Sequence, residues 1–126
     1  MKYYSTRDKS ARYSLREAAF LGLAPDGGLF MPETVPQADM QRVAALAGEP
    51  FARTARYVAG LLFRDDLSDE QLDAIVEDAY GFDIPLRHLG DDRYTLELFH
   101  GPTIAFKDMA LSILPYLMTT AAKKNQ

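Results

Sequence analysis

The feature that most constrains this chain is a change of hydrophobic period at Asp83. From Ser14 to Gly81 apolar residues recur at helical spacing, and beyond Asp83 they alternate. A stretch that buries one residue in every three or four cannot also present a flat, two-sided ribbon. The chain therefore reads as mixed α/β, with a mainly helical segment followed by a β-hairpin and a helix.

Local signals punctuate the helical part. Ser14-Leu15-Arg16-Glu17 has the form of a capping box and opens a helix with Leu15, Ala18, Ala19 and Leu23 near one face; Gly22 supplies its left-handed end. Pro25-Asp26-Gly27-Gly28 is a turn, its paired glycines free to take positive φ. Leu29-Phe30-Met31, closed by Pro32, reads as an edge strand or extended segment. A short helix is predicted over 39–47 from Asp39, and a longer one over 50–63 begins at Pro50. Ser68-Asp69-Glu70-Gln71 is a second capping box, with Leu72, Ile75, Val76 and Ala79 as the buried stripe behind it.

After the change, two β-prone runs, 85–89 and 93–99, flank Gly90-Asp91-Asp92 and predict a hairpin. Tyr94, Leu96 and Leu98 alternate with Thr95, Glu97 and Phe99, the period of a half-buried strand. A Gly101-Pro102 turn leads to a predicted helix from Asp108 to Lys124, which Pro115 should kink.

Composition excludes several functions. Among 126 residues, 14 Lys and Arg face 18 Asp and Glu, a net charge of −4. No basic stripe is available for nucleic acid or an anionic membrane. Cysteine is absent, so neither a thiolate nucleophile nor a cysteine zinc site is possible, and two histidines make a histidine metal site unexpected. The amino-terminal residues carry no apolar run of signal-peptide type, and the apolar-rich stretch 109–118 is far short of the ~20 residues a membrane helix needs. A cytoplasmic location is the expectation.

Chemistry concentrates in Glu97-Leu98-Phe99-His100-Gly101-Pro102-Thr103-Ile104-Ala105-Phe106-Lys107-Asp108. A strand ends, a tight loop turns, and a lysine arrives where a helix begins. Ligands of open α/β sheets bind outside the carboxyl ends of the strands, which is where this loop would lie. Flanked by Ala105, Phe106 and Met109, Lys107 is expected to be partly desolvated, which favours a nucleophilic free amine able to form a Schiff base. A solvated surface lysine is the plainer reading. His100 fits a base, a phosphate ligand or a loop histidine satisfied by backbone groups; Thr103 fits a phosphate donor or a cap. Asp108 most simply caps the helix after Lys107. Asp65, Asp66, Asp69 and Glu70 resemble a metal cluster by charge alone and read better as a solvated helix start. Tyr3-Tyr4 and Ser5-Thr6-Arg7 offer anion contacts, or are simply polar chain.

Three stretches together resemble the amino-terminal part of the threonine synthase family. They are Tyr3-Tyr4-Ser5-Thr6-Arg7, the run Gly22-Leu23-Ala24-Pro25-Asp26-Gly27-Gly28-Leu29-Phe30-Met31-Pro32-Glu33, and the Lys107 segment from Glu97 to Asp108. The resemblance implies a helical amino-terminal domain over 1–82 and, over 83–126, the truncated start of a fold-type II pyridoxal-phosphate domain. It implies Lys107 as the residue that holds pyridoxal 5'-phosphate and moves protons. It also implies conversion of O-phospho-L-homoserine and water to L-threonine and phosphate. The family's glycine-rich phosphate loop and ring contacts fall beyond Gln126, so the 126 residues are expected to be inactive alone. The rival expectations are another enzyme of the same fold, such as a threonine dehydratase or cysteine synthase relative, and a non-catalytic helical interaction module. With no sheet to cover Ala110, Ile113, Leu114 and Leu117, self-association through the 108–124 helix is also expected.

Overall fold

The computed structural model describes residues 1–123. Three short strands come first: β1 (Lys2–Ser5), β2 (Tyr13–Ser14) and, after helix α1 (Leu15–Leu21), β3 (Phe30–Pro32). They form an antiparallel sheet in the order β2-β1-β3, with Tyr4 opposite Met31 and Tyr3 opposite both Tyr13 and Pro32. Pro32 sits on an edge strand, where a missing N–H costs no ladder bond. Of the edge strand or extended segment expected there, the structure has the strand, and its partner β1 lies in the stretch expected to offer anion contacts or plain polar chain. The helical part therefore carries a sheet as well.

That sheet explains two of the three recognisable stretches. The Ser5 hydroxyl donates to Asp26 Oδ1 at 2.7 Å, and the Gly28 N–H donates to the same oxygen at 2.8 Å. Arg7 Nη1 reaches the Asp26 carbonyl at 3.0 Å, while Thr6 and Leu29 bond each other through backbone and hydroxyl. Gly27 takes the left-handed conformation at φ 77°, as the turn requires. Gly28 is needed for proximity instead: a Cβ there would lie 2.1 Å from Ser5 Oγ. The Tyr3–Arg7 stretch and the Pro25–Gly28 turn are one interlocked unit.

Helices α2 (Met40–Ala45), α3 (Phe51–Phe63) and α4 (Asp69–Ala79) follow. Both capping boxes form as read, from Ser14 with Glu17 and from Ser68 with Gln71, and Asp39 caps α2. The core lies where α3 and α4 meet α6 (Leu114–Lys123): Ala59, Leu67, Leu72, Ile75, Val76 and Leu117 are buried there, and Ile113 packs against them. Leu72 is only 1% exposed. Asp65 and Asp66 stand by the Met1 amino group, Asp69 and Asp73 pair with Arg56, and Asp69 and Glu70 occupy the first turn of α4; no metal-binding cluster occurs among the described residues.

The hairpin pairs β4 (Leu86–Gly90) with β5 (Arg93–Leu96), Leu86 opposite Leu96 and His88 opposite Tyr94, and is bulged before Gly90. β5 stops at Leu96, three residues short of expectation, and the alternation buries nothing: Leu86, His88, Tyr94 and Leu96 share one face and all are exposed. The predicted 108–124 helix is two helices, α5 (Asp108–Leu111) and α6, broken at Ser112-Ile113 rather than merely kinked; Lys124 lies outside the described residues. Pro115 sits in the first turn of α6, where its ring is tolerated. Its stripe is half covered, because Leu117 and Ile113 turn into the core while Ala110 and Leu114 stay exposed. No helix among the described residues is long and apolar enough to cross a membrane.

Candidate functional site

The Lys107 segment is held at both ends. At its start, Glu97 N–H donates to the Pro85 carbonyl at 3.0 Å, fixing the exit from β5. At its end, the Tyr80 hydroxyl donates to the Met109 carbonyl at 2.8 Å, tying the end of α4 to α5. Tyr80 stacks edge-on with Phe51 and Phe82, and burial pushes its phenol above the usual range. Nothing in the Lys107 motif pointed to Tyr80; its signal was a lone aromatic just past an apolar helix stripe.

Between these anchors the loop closes on Asp108. This residue is 2% exposed and is not the cap expected of it: Lys107 occupies the cap position, without a side-chain cap bond. The Asp108 carboxylate turns back, accepting from the Thr103 hydroxyl at 2.6 Å and from the Thr103 N–H at 2.9 Å. The Thr103 hydroxyl bond, against an opposing effect of burial, lowers the Asp108 pKa below the ordinary carboxylate value. Gly101 makes this possible. A Cβ at that position would stand 2.4–2.8 Å from Oδ2, Cβ and Cγ of Asp108. Ile104, inside the clamp, is at φ 60°, a conformation that a β-branched residue adopts only under constraint.

His100 is bound by a carboxylate, not by backbone groups. Its Nε2 lies 2.7 Å from Glu97 Oε2, and its ring stacks on Phe99. That hydrogen bond lowers the Glu97 pKa, helped by Arg87, while burial works the other way. The spacing of three between Glu97 and His100 was the available clue. His100, Thr103 and Asp108 border an open cavity of about 680 Å³ that also touches Phe82, Ser112 and Tyr116.

Lys107 is not among the residues lining that cavity. It is exposed, as is Phe106 beside it at 66%, so the expected apolar desolvation is absent from this structure. Its amine has no ion-pair partner among the described residues. The loop thus presents a solvent-exposed lysine from a hydrogen-bonded turn that also carries a carboxylate-bound histidine and a buried carboxylate. Such an amine can condense with a carbonyl or hold an anion.

Residues 2–80 match the family described as the threonine synthase N terminus. The chain is 37% identical over 123 residues to a threonine synthase of Pseudomonas aeruginosa, covering 94% of this chain and 26% of that protein. Identity to a threonine synthase of Corynebacterium glutamicum is 41% over 128 residues, 90% of this chain and 26% of the relative. The crystal structure of pyridoxal-phosphate-bound threonine synthase from Brucella melitensis superposes with a TM-score of 0.90 at 34% identity, covering all of this chain and 28% of that one. The chain spans about a quarter of the length of these relatives. The family model spans the interlocked turn and the capped helices, the superposition takes in the lysine loop as well, and the chain belongs to the threonine synthase family.

Proposed function

We propose that this chain is the front portion of a threonine synthase, with residues 1–82 as its amino-terminal domain and 83–126 as the beginning of its catalytic domain. The reaction proposed is the conversion of O-phospho-L-homoserine and water to L-threonine and phosphate. A cytoplasmic location accompanies this reading, in keeping with amino-acid biosynthesis. The observation that carries it is the Lys107 loop, an exposed amine on a clamped turn in a chain that superposes on a cofactor-bound relative.

The donor chemistry suits pyridoxal 5'-phosphate: Lys107 offers a primary amine, with no carboxylate in ion-pair reach among the described residues. When bound, that cofactor supplies an electron sink for bond changes at an amino acid's α and β carbons. Lys107 would hold it, and in the reaction would carry protons to and from those carbons. Asp108, Thr103 and Gly101 fix the turn from which Lys107 projects, and Tyr80 fixes the helix behind it. The phosphate-binding loop and ring contacts expected from the family lie outside these residues, so weak, poorly oriented cofactor capture and no turnover are proposed for the 126 residues alone. Self-association also belongs to this reading; with Leu117 buried and only Ala110 and Leu114 of the expected helix stripe exposed, its main surface is the apolar face of the hairpin.

Borohydride trapping with pyridoxal phosphate, followed by intact mass and peptide mapping, tests the reading. One reduced adduct on Lys107, lost in Lys107→Ala, is expected. Equal labelling of the variant would overturn the assignment, and phosphate release from O-phospho-L-homoserine by the chain alone would overturn its inactivity.

A further inference from the structure

A second cavity, of about 820 Å³, opens among α2, α3 and α4, and none of the Lys107 loop borders it. Its chemistry is unlike that of the rest of this acidic chain. Arg53, Arg56, Tyr57, Gly60 and Arg64 lie along one face of α3, and Arg42 of α2 closes the other side. Four arginines meet two aspartates there, in a protein whose net charge is −4.

The aspartates are already committed. Arg56 Nη2 pairs with Asp69 at 2.6 Å, and its Nε pairs with Asp73. Arg64 spends only its Nε, on the Gly60 carbonyl at 2.9 Å. Arg42 and Arg53 have no ion-pair partner among the described residues, and both are exposed. The Tyr57 oxygen accepts from the Asp39 N–H at 2.8 Å, which leaves its own proton free to donate. Several residues able to give charge-assisted bonds therefore border a concave space of small-molecule size, with an excess of two positive charges.

We propose that this cleft binds a dianionic phosphate group through Arg42, Arg53, Arg64 and the Tyr57 hydroxyl. A tetrahedral phosphate can meet donors arriving from different helices, and its charge matches the excess. The ion-paired Arg56 holds α3 against α4 and so fixes the donor face. Leu46, Ala45 and Leu67 add apolar wall, room for a small organic substituent on the phosphate.

Calorimetric titration of the full chain with inorganic phosphate and with glycerol phosphate, at constant ionic strength set by chloride, tests the site. Saturable one-to-one binding is expected, weakened roughly tenfold or more when Arg42→Gln and Arg53→Gln are combined, as loss of charge-assisted bonds implies. Should the double variant lose its circular-dichroism spectrum, Arg42→Gln alone carries the same comparison. Lys107→Ala should bind normally, which separates this cleft from the lysine loop. Both ligands binding alike identifies the free anion, and tighter binding of glycerol phosphate identifies an organic phosphate; either supports the site. Non-saturable heats, wild-type affinity in the arginine variants, or loss of binding in Lys107→Ala would overturn it.

Discussion

Asp108 shows how a single side chain can matter more to a site than the reactive group next to it. Its carboxylate accepts two bonds from Thr103 and fills the space that Gly101 leaves open. The Thr103 hydroxyl is the main reason its pKa is lowered, so the folded state prefers the ionised form. A depressed carboxylate contributes stability that is full above the unfolded pKa and is lost as pH falls through the folded value. Urea midpoints should therefore hold from pH 7 to 5 as far as Asp108 is concerned, then fall below about pH 4. Asp108→Asn should lower the neutral midpoint, because the charge-assisted bonds from the Thr103 N–H and hydroxyl become neutral ones and one acceptor oxygen is replaced by NH2, and should flatten the acid fall. An unchanged acid slope would remove Asp108 from that account. Lys107 and Asp108 both stood out in the sequence, yet the aspartate was assigned to a cap. Adjacency to a helix start was visible; the backward turn at Gly101, which lets the carboxylate reach Thr103, was not. Ile104 gave no warning either, since nothing in a β-branched residue signals φ 60°.

Among elements, the ones that read correctly are those whose determinants sit within four residues. The Ser14 and Ser68 boxes close over a span of three, and both formed. The β1–β3 pairing joins distant residues, Tyr4 to Met31 among them, and no local rule reports it. What specifies it is the Ser5–Asp26–Gly28 contact. Gly28→Ala makes that claim testable. Its Cβ would have to displace Ser5 Oγ from 2.1 Å, and overpacking of this kind costs about 1–3 kcal/mol. Amide exchange should quicken selectively at Thr6 and Leu29, which bond across the same junction, while the α4 amides around Leu72 and Ile75 keep their protection. Uniform loss of protection would mean that the turn is not a separable element. The broken 108–124 helix belongs to the same lesson. Pro115 marked a disturbance, but its place in a new first turn depends on Ile113 and Leu117 reaching the α3–α4 core, a tertiary fact.

At the scale of the molecule, apolar content of 48% says nothing about where that surface is spent. The helical part closes a core around Leu72, whereas the hairpin closes none. Leu86 faces Leu96 across the ribbon, with Tyr94 two register pairs along on the same face, and all three are more than half exposed. A two-stranded ribbon with neither face covered is marginal in water, and a row of exposed apolar side chains is a surface for association. The period of two was legible in Tyr94 and Leu96; the layer it should pack against was not, and about three quarters of the length of relatives in this family lies outside the matched stretch. The isolated chain should therefore associate with itself through the hairpin, and sedimentation velocity over a hundredfold concentration range should show its mass rising. Leu86→Ser combined with Leu96→Ser should shift that equilibrium to monomer, since the pair lies outside the core and its removal leaves the α3–α4 packing intact. Ile113 and Leu117 offer the contrast. Serine at either position should lower stability by about 2 kcal/mol or more, with no gain in monomer at equal folded concentration, because both side chains point inward. A wild-type chain that sediments as a monomer throughout would show that the hairpin face, though apolar and bare, does not drive association.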